Sequence, residues 1–365
     1  MEQHKLPGIQ IARAVAALSI AYFHSWVSIF RFPKDTAFPI PVLATHGWLA
    51  VDLFFAISGF VICLVASRPT FDIVSFLTKR VFRFYPLWLV TLTTFAVLAL
   101  AWRGPRDTET LGYFLYSATL LPTAEFPFYD IGWSLQHEMV FYLIAALTVP
   151  IFGLYGLAAV LAASTLAFHT IDMPAAVGNF AMYHAEFLAG VLVFMARRQL
   201  ARFGYWLPLV VGAVSFWYFV AIWGDRRYLP IALFFLIAGF ANVPDKASRW
   251  LTRAGALGDA SYSIYLLHPL VFIIASALVS KVTPPIWSEE LIRGGCFVVI
   301  LPMAFASWRY FERPLIGIGN RLAARLVGPA GQNMRGGLEL QPEMSRSLAV
   351  RINTNRVVPA LSRDP

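Results

Sequence analysis

The sequence predicts an all-α, polytopic membrane protein of about ten transmembrane helices, with both termini cytoplasmic. Three observations predict it: an apolar composition, a succession of apolar runs near the length of a bilayer crossing, and a lopsided placement of basic residues. Of 365 residues, 58% are hydrophobic and 13% charged, whereas soluble chains carry about 25% charged residues. Aromatic residues reach 15%, in keeping with Trp and Tyr side chains gathering at two membrane–water interfaces. The net charge of +9 could suit nucleic acid, but the basic residues sit in short loops between apolar runs. That distribution argues for membrane orientation and against a nucleic-acid partner.

A helix needs roughly 20 mainly apolar residues to cross the hydrocarbon core. With that window the expected spans lie near 9–30, 48–66, 84–102, 133–152, 154–170, 177–196, 206–223, 228–243, 261–281 and 291–311. The apolar stretch Leu111 to Leu121 is too short to cross and reads as an interfacial or re-entrant piece. Loops on one side carry Arg68, Lys79, Arg80 and Arg83, then Arg197, Arg198 and Arg202, then Lys246, Arg249 and Arg253, and finally Arg313, Arg321 and Arg325. The loops opposite carry Arg31, Lys34, Arg103, Arg106, Arg226 and Arg227. These are diluted by Asp107, Glu109, Glu125, Asp130, Asp172, Asp225, Glu289 and Glu290. The imbalance sets the first side in the cytoplasm. The short polar start before the first span, with no small-residue cleavage site, reads as a retained anchor. Residues 1–326 are therefore expected to form the membrane core. Residues 327–365, polar and without apolar period, are expected to form a disordered cytoplasmic tail. No internal repeat is visible. Cys63 and Cys296, one in each of two apolar spans, read as packing residues; neither a disulfide nor a metal site is expected.

Ionisable residues inside a span are costly and usually face a protein interior or cavity. In the first span, Arg13 and His24 are eleven residues apart, about three turns, so they share a side and lie roughly 16 Å apart along the axis. Arg13 alone reads equally well as a residue snorkelling to the surface, and His24 as a satisfied buried histidine; their common side favours a polar channel. His24, Asp52 and Glu138 all fall roughly 6–9 Å below the outer surface by residue count. An imidazole with a carboxylate partner is the usual arrangement for taking a proton from an attacking hydroxyl. In the inner layer, Arg80 and Arg83 share a helical face. They read either as orientation signals or as a phosphate clamp for a nucleotide-like donor. Tyr265 and His268 join them in that layer, although His268–Pro269 could equally shape its helix.

Six strings in order make these residues recognisable: IQIARAVAALSIAYFH, GWLAVDLFFAISGFVI, KRVFRFYPLW, WSLQHEMVFY, SYSIYLLHPLV and FERP. With them the chain resembles the membrane acyltransferase-3 family, in particular the stand-alone exopolysaccharide and Nod-factor O-acetyltransferases of rhizobia. The resemblance implies ten core helices in a bacterial inner membrane and an enzyme, an O-acyltransferase. Its donor would be a cytoplasmic acyl-CoA, acetyl-CoA being the expected one, with no permanently bound cofactor. Its acceptor would be a hydroxyl of an extracytoplasmic or lipid-linked glycan, with polysaccharide-synthesis proteins as further partners. It also places the family's motif residues on His24, taken as catalytic, on Arg13, Arg80 and Arg83 toward the donor, and on Glu138; the reading by depth adds Asp52 to the catalytic group and Tyr265 and His268 to the donor group. His46 and the Tyr183 to Glu186 stretch match no motif of the family. Glu186, expected near mid-membrane, reads as a helix–helix hydrogen bond or as a support for the site. A different class of protein, a proton-coupled transporter or flippase relaying protons through His24, Asp52 and Glu138, is the competing expectation.

Overall fold

The computed structural model describes residues 6–28, 40–68, 71–104, 106, 109–122, 125–244, 255–279 and 289–336. The expected loop charges at Arg31, Lys34, Asp107, Lys246, Arg249 and Arg253, and most of the expected tail, lie outside these residues. Among the described residues all regular structure is helical.

The helices follow the apolar runs. They are α1 (Pro7–Ser28), the short α2 (Pro41–His46), α3 (Ala50–Ala66), α4 (Ile73–Arg103), the short α5 (Leu111–Ala118), α6 (Trp133–Thr170), α7 (Ala175–Ala181), α8 (His184–Leu200), α9 (Trp206–Tyr218), α10 (Leu229–Ala241), α11 (Ser261–Val279), α12 (Glu289–Ser307) and α13 (Arg313–Gly336). A single π turn, Trp308–Glu312, joins α12 to α13. Six stretches are long and apolar enough to cross a membrane: Pro41–Ala66, Ile73–Trp102, Asp130–Thr170, Val177–Phe203, Ser261–Val279 and Glu290–Val327.

Three departures from the expected boundaries have physical causes. Helix α4 starts well before the expected span, because Asp72 caps it by accepting from the Ser75 backbone N–H at 2.8 Å and Pro86 is absorbed inside it. The expected spans 133–152 and 154–170 are the two halves of α6. At 38 residues a straight helix would be roughly 57 Å long, about twice the hydrocarbon thickness. Gly153 breaks it with φ 65° and ψ −166°, a backbone conformation that only glycine adopts without strain. The expected span 177–196 is interrupted, since α7 ends at Ala181 and α8 begins at His184. The Leu111 to Leu121 piece is pinned against its neighbours: Trp88 Nε1 donates to the Ser117 carbonyl at 3.2 Å, and Gln136 Nε2 to the Leu121 carbonyl at 2.7 Å.

Helix α3 is the axis of the bundle. It packs on α8 through small residues that let the backbones touch; a Cβ added at Gly190 would fall 1.9 Å from the Ala56 carbonyl oxygen, and one at Gly59 2.1 Å from that of Phe187. Helix α1 lies against α3 and α11, and α13 lies along α4. Helix α13 runs past the expected core boundary at residue 326, to Gly336.

Candidate active site

Residues 51, 54, 55, 58, 61, 62 and 65 mark one face of α3, and that face lines a cavity of about 430 Å³. From Val51 to Val65 it follows α3 for roughly 21 Å. At the end of the bundle where α1 and α11 begin, its walls carry Arg13, Arg68, Lys79, Arg80, Arg83 and Arg313. Asp72, Glu138 and Asp259 are the carboxylates on the same wall. Two of these are committed elsewhere. Asp72 caps α4, and Glu138 accepts from the hydroxyl of Ser58, at 2.6 Å, and from that of Tyr142. The cavity therefore presents a surplus of positive charge to whatever fills it. Aromatic rings hold two of the cations in place: Arg80 lies 4.9 Å over Tyr142 and 5.2 Å over Phe76, and Arg313 lies 5.9 Å over Trp308.

Ser134, Phe54 and Tyr265 line the far end of the cavity. The Tyr265 hydroxyl pairs with Ser134 Oγ at 2.6 Å, and its ring meets Phe54 edge-on at 6.0 Å. One turn further along α11, His268 stacks on His24 of α1, with ring centroids 5.0 Å apart. Their hydrogen bonds fix which nitrogen does what. His268 Nδ1 lies 2.9 Å from the Ile264 carbonyl, which only accepts, so Nδ1 carries the proton. Nε2 of a neutral His268 is then an acceptor, and His24 Nδ1, 2.7 Å away, donates to it. A neutral His24 is left with its lone pair on Nε2. An imidazole held by one nitrogen with a basic lone pair on the other is equipped to take a proton from a hydroxyl.

The expected site residues thus divide differently from their depths. Arg13, Arg80, Arg83 and Tyr265 line the cavity as a group. Glu138 lies on the same wall, hydrogen-bonded beneath the Arg80–Tyr142 contact, and not against His24. His268 belongs with His24, not with the arginines. Asp52 faces away from the cavity, toward α8: it pairs with Arg226, which also lies 3.6 Å from Glu186. Depth along a helix was readable by counting, but each residue also turns the side chain by about 100°, and that turn separates Asp52 from Val51. Glu186 sits in the first turn of α8, inside the stretch Val177–Phe203 that is long and apolar enough to cross a membrane. His46 hydrogen-bonds its neighbour Thr45, at 2.8 Å, and His184 meets Ser164 at 2.7 Å.

Sequence reasoning missed Arg68, Lys79 and Arg313 as site residues, because basic side chains at a membrane surface carry the orientation signal whether or not they bind anything. For Arg313 a usable signal was its place in the FERP string, directly after Glu312. Among the described residues no group of three or more His, Cys, Asp or Glu could hold a metal ion.

A basic cavity leading to a histidine pair inside an apolar helical bundle fits a membrane-bound group-transfer enzyme. The comparisons give the class: the family model described as an acyltransferase domain matches residues 6–309, and the chain belongs to that family. It is an acyltransferase and a multi-pass membrane protein. Among its relatives is the exopolysaccharide production protein ExoZ of Rhizobium meliloti (strain 1021), 28% identical over 79% of this chain and 96% of the relative. Acyltransferase MdmB of Streptomyces mycarofaciens is 26% identical over 73% of this chain and 79% of its own length. A putative acetyltransferase of Acidianus two-tailed virus is 29% identical over 40% and 42% respectively. No solved structure matches the chain.

Proposed function

We propose that this enzyme moves an acetyl group from acetyl-CoA, bound in the basic cavity from the cytoplasm, to a hydroxyl of an extracytoplasmic or lipid-linked glycan. The observation that carries the reading is the elongated basic cavity ending one helical turn short of His268, which is hydrogen-bonded to a second imidazole, His24, whose Nε2 keeps its lone pair. Arg13, Arg80 and Arg83 neutralise the donor's phosphates, as guanidinium forks do well. The pantetheine arm runs along α3 and brings the thioester past Tyr265. There the acceptor hydroxyl attacks the thioester carbonyl while His24 Nε2 takes its proton. The C–O bond forms, the C–S bond breaks, and the proton passes from the imidazolium to the departing sulfur, leaving free CoA. His268 accepts from His24 Nδ1 throughout and steadies the charge that develops on the ring. Glu138 positions Tyr142 and, through it, Arg80.

The glycan acceptor is favoured by the exopolysaccharide production named in one relative. In this reading about ten segments cross a bacterial inner membrane: α1, α3, α4, the two halves of α6, α8, α9, α10, α11 and α12. The test is release of free thiol from acetyl-CoA by the purified protein with its acceptor polysaccharide. His24→Ala is expected to abolish release, on the scale of the 10²–10⁴-fold that a general base supplies, with its elution profile unchanged. Undiminished release by this variant would refute the mechanism.

A further inference from the structure

The family match ends at residue 309, yet the cavity does not. Arg313, Ile316 and Asn320 of α13 also line it, together with Trp308 of the π turn. Their spacings of three and four residues put the three α13 side chains on one helical face. The helix is held there by contacts of its own. Gly319 packs so closely on α4 that a Cβ would fall 2.4 Å from that of Phe82, and Ala323 is fully buried. At the start of the helix, buried Glu312 accepts from the Ser263 hydroxyl, which also lies 2.9 Å from Ser307 Oγ. This ties the π turn to α11. The wider π turn is what brings Trp308 and Arg313 to the same side, with the guanidinium over the indole.

We infer that α13 forms the nucleotide-binding wall of the donor cavity, a role for residues beyond the stretch that the family model matches. The inference rests on the acetyl-CoA reading above. The thioester has to reach His24, past the far end of the cavity, so the nucleotide is left at the mouth, where α13 stands. Arg313 pairs with a phosphate of the nucleotide, and Asn320 supplies an amide to hydrogen-bond the nucleoside. Positive charge near the membrane is not the whole reason for Arg313. Arg321 and Arg325 on the same helix, exposed like Arg313, do not line the cavity.

Two donors separate this role from a structural one. Acetyl-CoA carries the nucleotide; S-acetyl-N-acetylcysteamine has the same thioester and none. With the full-length protein, Arg313→Ala is expected to raise KM for acetyl-CoA about tenfold or more, the size of one lost charged hydrogen bond. kcat should stay within about twofold. On the truncated donor the variant should match wild type. Arg313→Lys should recover part of the loss, and Arg321→Ala should change neither donor. Asn320→Ala, an exposed position that does not threaten folding, should show the same selective but smaller loss. Unchanged KM for acetyl-CoA in both Arg313→Ala and Asn320→Ala would overturn the inference, as would equal losses on the two donors. Wild-type protein that consumes neither donor would instead overturn the acetyl-CoA reading beneath it.

Discussion

At the scale of single residues, the arrangement of hydrogen bonds around His268 makes the sharpest claim. A residue that accepts from the base without touching the reacting atoms should act on the chemical step and not on donor binding. His268→Ala is therefore expected to lower kcat on the order of 10²-fold with the KM for acetyl-CoA nearly unchanged. His268→Asn, whose amide oxygen can accept from His24 Nδ1, should recover part of that loss. A rise in KM with kcat intact would return His268 to the donor-binding group in which its sequence position placed it. Asp52 gives the contrasting expectation. It is 1% exposed and paired with a half-exposed arginine, so Asp52→Ala should cost about 1–3 kcal/mol of stability, between the values for surface and buried pairs. Thermal unfolding would register this, while donor KM in the folded fraction stays the same. Arg13, His24, Arg80 and Arg83 were legible because their spacing is local. The long-range partners of Asp52, Glu138 and His268 were not, because Arg226, Ser58 and His24 are each distant in the chain. Nothing in the chain order announces those meetings.

At the scale of helices, the apolar runs and their punctuation carried most of the information. Gly153 was readable as the boundary between two spans and is the point where α6 breaks. The start of α4 was misplaced because the apolar window opens only after Lys79, Arg80 and Arg83; about three and a half turns of helix precede Pro86. What no run of apolar residues could disclose is which helices touch. The α3–α8 crossing depends on Gly59 and Gly190, each facing a backbone carbonyl of the other helix. Gly190→Leu should force these helices apart and abolish monodisperse protein in detergent, whereas Gly153→Ala, at an open but strained position, should cost only about 1 kcal/mol. If both variants purified with wild-type melting temperatures, the crossing would not be the axis described here.

On the scale of the whole molecule, the charges, the cavity and the histidine pair define two ends. Basic residues mark one end, and the same residues line the mouth of the cavity, so under the proposed function orientation and donor binding draw on one set of side chains. This is why composition revealed a membrane protein at once yet hid half of the basic side chains that line the cavity. Single cysteines at Lys79 and at Asp225, on opposite ends, should react with an impermeant maleimide from opposite faces of the membrane, the first only in inverted vesicles. The most direct measurement of the central claim uses proteoliposomes of one orientation, with acetyl-CoA confined to the side of the basic mouth and acceptor glycan to the other. Acetyl esters should appear on the glycan across the bilayer, and should vanish with His24→Ala. Acetylation only when donor and acceptor share a side would contradict a handover through the bundle.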